Sequence, residues 1–116
     1  MEPTVYFNPS CSKCRTVQGI LAERGMDATY VHYLEQAPTR EELERVMGLL
    51  GIDDPRKMMR TAEPVYAELA LDSAGPDELL EAMVANPILV ERPIVIKDGR
   101  AIIARPAERV YELLDD

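Results

Sequence analysis

The chain has no tryptophan, a single phenylalanine (Phe7), a single histidine (His32) and only two cysteines in 116 residues. Without tryptophan, and with so few aromatic rings, its core has to be aliphatic. At 47% hydrophobic residues there is enough apolar material to build that core without disulfide staples. No apolar run reaches the length of about 20 residues that a membrane helix needs. The first residues, Met1-Glu2-Pro3-Thr4, carry no basic segment followed by an apolar block, so no signal peptide is expected. Positive charge is also scarce. Thirteen Lys and Arg face 21 Asp and Glu, for a formal net charge of −8. Such an acidic surface argues against nonspecific binding to nucleic acid or to an anionic membrane. The expectation is one domain over residues 1–116, monomeric and cytoplasmic. In that compartment a cysteine pair is catalytic or redox-sensing more often than structural.

Both cysteines lie in Tyr6-Phe7-Asn8-Pro9-Ser10-Cys11-Ser12-Lys13-Cys14-Arg15, as Cys-x-x-Cys where a short apolar strand gives way to an amphipathic helix. A cysteine at a helix start meets unpaired backbone N–H groups and the positive end of the helix dipole. Both favour thiolate over thiol, and Lys13 and Arg15 add positive charge nearby. Cys11 therefore reads as a nucleophile. Three residues along a helix put the two Cα atoms roughly 5 Å apart, within the span of about 4.4–6.8 Å that a disulfide tolerates. Cys14 reads either as a resolving thiol or as a small buried helix residue. Half of a zinc site is the poorer reading, because only His32 and carboxylates remain to complete it. No metal is expected. His32, alone in a strand, receives no role. The Asn8 side chain is placed to bond the loop backbone, either shaping the cysteine loop or capping the helix.

The rest of the chain spells out alternating elements. Thr4–Phe7 reads as a buried strand, and Val17, Ile20 and Leu21 recur at helical spacing up to about Arg24, with Gly25 placed to end that helix. Thr29–Tyr33 is a second strand, so a right-handed parallel βαβ unit is expected. Thr39-Arg40-Glu41-Glu42 is a capping box opening a helix that stops at Gly51. Asp54-Pro55 opens a short helix to about Arg60, a further helical turn falls within Val65–Leu71, and Gly75-Pro76 opens a helix to Ala85. Ile94-Val95-Ile96 is a strand, Asp98-Gly99 a hairpin turn, and Arg100–Ile103 the returning strand. Pro106 opens the last helix.

This order is the thioredoxin-like one, an α/β fold with a mixed four-stranded sheet, flanking helices and a helical insertion between its βαβ and ββα halves. Along nearly its whole length the chain resembles the glutaredoxin-coupled arsenate reductase family, a relative of Spx-type regulators. The matching pieces are Tyr6-Phe7-Asn8-Pro9-Ser10-Cys11, Tyr33-Leu34-Glu35, Met59-Arg60, Asn86-Pro87-Ile88-Leu89, Arg92-Pro93-Ile94-Val95 and Ala104-Arg105-Pro106. The resemblance implies a cis peptide before Pro93. It implies that Cys11 attacks arsenate and that Arg60, Arg92 and Arg105 hold the oxyanion; Cys14, on its helical spacing, is counted as a second catalytic thiol, and Asn8 is grouped among the substrate-binding residues. Paired planar donors on a permanent charge suit a tetrahedral anion. No bound cofactor is implied. The electron donor would be glutathione with glutaredoxin, or thioredoxin.

Two positions depart from the family's usual pattern. Phe7 stands where arsenate reductases of this type often have His, and Cys14 where they often have Ser. The second change offers an internal route for resolving an oxidised Cys11. Two other functions share many of these motifs: a redox-responsive transcription regulator that binds RNA polymerase, and a general thiol-disulfide oxidoreductase. Polymerase pull-down under oxidising and reducing conditions separates the first, and a disulfide-substrate assay the second.

Overall fold

A computed structural model describes residues 2–114; Met1, Asp115 and Asp116, the ends of the expected 1–116 domain, lie outside them. The chain divides into two compact units, one formed by residues 1–36 and 92–116 and the other by residues 37–91.

The first unit carries the sheet. Its elements are β1 (Thr4–Tyr6), α1 (Ser12–Glu23), β2 (Thr29–Val31), β3 (Ile94–Lys97) and β4 (Arg100–Ile103), in sheet order β2-β1-β3-β4. β1 pairs parallel with β2, with Val5 opposite Tyr30, and antiparallel with β3, with Val5 opposite Val95. β3 and β4 form the hairpin, closed by Asp98 at φ 51° and Gly99 at φ 79°. Two left-handed residues in succession match the right-handed twist of the flanking strands, and Asp-Gly is a pair that accepts them. The core is mostly aliphatic: Val5, Val17, Leu21, Val95 and Val110 are fully buried, together with Cys14, and the rings of Tyr6, Phe7 and Tyr33 are buried as well. α1 stops where expected, with Gly25 at φ 65°. The last helical segment differs from the expectation. Residues Ala107–Val110 form a tight 3₁₀ turn before the single α-turn α5 (Tyr111–Leu114).

The second unit is helical: α2 (Arg40–Leu50), α3 (Pro64–Glu68) and α4 (Pro76–Ala85), linked by 3₁₀ turns at Pro55–Met58, Leu71–Ser73 and Pro87–Leu89. The capping box of α2 is fully formed. Glu42 donates its N–H to Thr39 Oγ1 at 3.1 Å, and Glu42 Oε1 accepts from the Thr39 N–H at 2.9 Å. Arg56 holds the turns together. Its Nη2 donates to the carbonyls of Leu71 (2.8 Å) and Ala74 (2.8 Å), and its Nε to the Tyr66 hydroxyl (3.0 Å). The short helix expected from Asp54 to Arg60 is only the 3₁₀ turn Pro55–Met58, because Met59 is already extended and bridges to Val90.

Candidate active site

The site grows out of the five residues between β1 and α1. Phe7 follows the strand and is buried, its ring meeting Tyr30 edge-on at 5.1 Å and His32 at 5.6 Å. The position next to the cysteine loop is therefore apolar and packed. Its outer face opens on a shallow cavity of ≈ 180 Å³ walled mainly by Phe7, Pro9, His32 and Leu34. Asn8 then turns the chain twice over. Its side-chain Oδ1 accepts from the Ser10 N–H at 2.9 Å, and its carbonyl accepts from the Cys11 N–H at 2.9 Å. Of the two roles open to Asn8 in the sequence, its side chain fills the loop-shaping one.

Cys11 is the N-cap of α1, in extended backbone at φ −91° and ψ 121°. Its carbonyl accepts the first helical bond, from the Arg15 N–H at 3.1 Å. Cys14 sits one turn in and is fully buried, whereas Cys11 keeps 9% of its surface exposed. The two thiols hydrogen-bond each other. Burial pushes the Cys11 thiol up. It is outweighed by the Cys14 backbone N–H, the Cys14 thiol, the Arg92 guanidinium and the Lys13 N–H, all of which favour the thiolate. The net result is a Cys11 pKa below that of a free thiol. Cys14 goes the other way. Burial, then the hydrogen bond and charge of Cys11, push it up to about 11, against a backbone hydrogen bond from Asn8 and the charge of Arg92. The pair is thus polarised: one thiol poised to ionise and one held neutral.

Arg92 stands just before β3, and the Arg92–Pro93 peptide is cis. Its guanidinium reaches the Cys11 sulfur and lies near the hydroxyl of Tyr33, and both neighbours hold it charged against the cost of burial. Tyr33 is fully buried and stacked on Tyr6, with ring centroids 6.5 Å apart. From the sequence, Tyr33 carried no role beyond a matching motif. Its only signal there was a tyrosine at the end of the expected strand Thr29–Tyr33, which does not distinguish a core ring from one that faces the site. Arg105 follows β4, so the hairpin returns it beside Arg92: its Nη1 donates to the Arg92 carbonyl at 3.0 Å, and the Ala104 N–H donates to the Pro93 carbonyl at 2.9 Å. A second cis peptide, Arg105–Pro106, was not foreseen from the sequence. Arg60 belongs to the helical unit. There its Nε donates to Glu63 at 3.0 Å and its Nη1 to Glu91 at 3.4 Å. Work on an oxyanion would require it to exchange one of these carboxylates for the ligand. Among the described residues, no group of three or more His, Cys, Asp or Glu side chains is arranged to hold a metal ion, and no helix is long and apolar enough to cross a membrane.

A thiolate at a helix start, beside a guanidinium in hydrogen-bonding contact, is arranged to attack an anionic electrophile and stabilise the charge it carries. The ArsC family model matches residues 6–113, which covers the cysteine loop, Arg92 and Arg105 together. The chain belongs to the ArsC family. An arsenate reductase of Neisseria meningitidis is 40% identical over 115 residues, covering 97% of this chain and 98% of the relative. The uncharacterised protein YfgD of Escherichia coli is 41% identical over 112 residues, covering 95% and 94%. Among solved structures, an arsenate reductase from Vibrio cholerae superposes with a TM-score of 0.93 at 41% identity, covering 97% of both chains. The mixed four-stranded sheet with flanking helices is therefore the thioredoxin-like architecture of ArsC proteins.

Proposed function

We propose that this ArsC-family chain reduces arsenate to arsenite at the expense of thiols. The Cys11 thiolate attacks arsenic and forms a sulfur–arsenic adduct. Arg92 and Arg105 hold the oxyanion, Arg60 joins them by family resemblance, and the α1 N-terminus supplies backbone donors. A thiol then reduces the adduct and arsenite leaves. The observation that carries this reading is the Cys11 thiol itself, held below its ordinary pKa by the helix start and by Arg92. The near full-length similarity to proteins named arsenate reductase gives the electrophile. The donor we assign is glutathione with glutaredoxin, or else thioredoxin, and the setting is the cytoplasm, with the chain acting as a monomer.

The test is arsenate-dependent thiol oxidation, run separately with glutathione–glutaredoxin and with thioredoxin. Consumption of reductant that depends on arsenate and on Cys11 in either system supports the reading. Equal background consumption with and without arsenate in both systems would refute it.

A further inference from the structure

The two thiols differ in their surroundings in a way that a lone nucleophile would not need. Cys11 keeps a small part of its surface exposed, where a species from solvent can approach it. Cys14 meets the same sulfur by a direct hydrogen bond and has no exposed surface at all. Displacement at a sulfur atom needs the attacking sulfur roughly opposite the group that leaves. An external thiol has to come from solvent and meet the little surface that Cys11 leaves exposed. The buried side is filled by Cys14.

From this geometry we infer that Cys14 is the thiol that releases arsenite, so that each turnover leaves a Cys11–Cys14 disulfide and the restoring reductant is a dithiol that opens disulfides. The inference rests on the proposed arsenate chemistry. In the first step an S–As bond replaces an As–O bond, and water leaves. Cys14 then gives up its proton, and its sulfur attacks the Cys11 sulfur. The S–S bond forms as the S–As bond breaks, and that bond's electron pair stays on arsenic. Arsenic passes from As(V) to As(III), the two cysteines together lose two electrons, and arsenite departs with the proton. The spacing allows it, since residues three apart on a helix fall within disulfide range. The electrostatics fit the order of events. While Cys11 is a thiolate, its charge and hydrogen bond keep Cys14 protonated. Once arsenic is bonded, that charge is gone, and Arg92 with the Asn8 backbone hydrogen bond remains to ease Cys14 toward thiolate.

A single-turnover experiment tests it. Reduced protein, freed of all small thiols, is mixed with arsenate under nitrogen and quenched in acid; free arsenite is measured, and the chain is mapped by mass spectrometry. The expected result is one arsenite per chain and a Cys11–Cys14 disulfide, with Cys14→Ser stopping at an arsenic adduct on Cys11. Wild-type protein that holds its adduct until glutathione is added would overturn the inference, and so would Cys14→Ser releasing arsenite at the wild-type rate. In either case the proposed function would stand. If no adduct forms and no arsenite appears with any thiol present, both the inference and the function fall together. The wild-type measurement decides the matter even if Cys14→Ser folds poorly.

Discussion

Cys11 and Arg92 come from opposite ends of the sequence and meet because β1 and β3 are neighbours in the sheet. Their hydrogen bond makes the charge state of one depend on the other. Arg92→Lys keeps the charge but loses the planar, paired donors. It should lower arsenate turnover by roughly 10²–10³, the usual loss when a positioned electrostatic donor is removed, while the circular dichroism spectrum stays native. Turnover within a few fold of wild type would show that the guanidinium is not used on the oxyanion. Tyr33 acts one step further out, through Arg92. Tyr33→Phe keeps the stacked ring and removes the hydroxyl, so its effect should appear in the Cys11 titration. Iodoacetamide alkylation of wild-type Cys11 should rise with pH around a midpoint below that of a free cysteine. Tyr33→Phe should move that midpoint upward and leave Cys14 unreactive at neutral pH. An unchanged alkylation profile would reduce Tyr33 to a core ring. Of these residues, Cys11 was legible in the sequence because a helix start is a local feature. Tyr33 was not, because its partner lies almost sixty residues away.

At the scale of elements, what the sequence spelled out most clearly was the ends of helices. Thr39 with Glu42, and Gly51 at φ 73°, delimit α2 as expected, because caps are short-range chemistry. Thr39→Ala removes the hydroxyl that accepts the Glu42 N–H and should cost about 1 kcal/mol, read as a lower urea midpoint with an unchanged slope. No shift in the midpoint would mean that the cap is replaced by solvent. The segments between the caps were harder to read. Pro55–Met58, Leu71–Ser73 and Pro87–Leu89 are 3₁₀ turns, too short for apolar periodicity to register. Ala70 takes a left-handed conformation at φ 54° that its residue type does not announce. The ion pairs of Arg60 with Glu63 and Glu91 were equally invisible. One pair is local but shares its sequence signature with any solvated helix face, and the other spans thirty residues.

For the whole molecule, the contrast is between an acidic chain and a small electropositive site. The two thiols should also write opposite signatures into stability. Cys11 has its folded-state pKa lowered, so as pH rises through that value the native chain loses a proton that the unfolded chain still holds, and stability grows toward pH 9. Cys14 is raised to about 11, so between pH 9 and 11 the unfolded chain loses a proton that the native chain keeps, and stability falls. Urea unfolding across pH 7–11 should therefore show an alkaline decline that Cys14→Ser removes and that Cys11→Ser only lessens, since Cys11 supplies part of the upward push on Cys14. An alkaline decline of equal size in wild type and Cys14→Ser would contradict the polarised pair. The alternation of elements could be read from the sequence because hydrophobic period and turn chemistry repeat along it, and the mixed sheet followed from the family resemblance. The division of the chain into two units could be glimpsed only as a helical insertion, since it depends on which apolar faces find each other.

The central claim is that the Cys11 sulfur is the atom that meets arsenate. The most direct measurement is arsenite formation by reduced wild-type protein and by Cys11→Ser, side by side, with a thiol donor in excess. The account predicts that arsenite accumulates with wild type and that Cys11→Ser, folded as judged by circular dichroism, gives no more than the donor alone. Arsenite formation by Cys11→Ser at a rate comparable to wild type would contradict it.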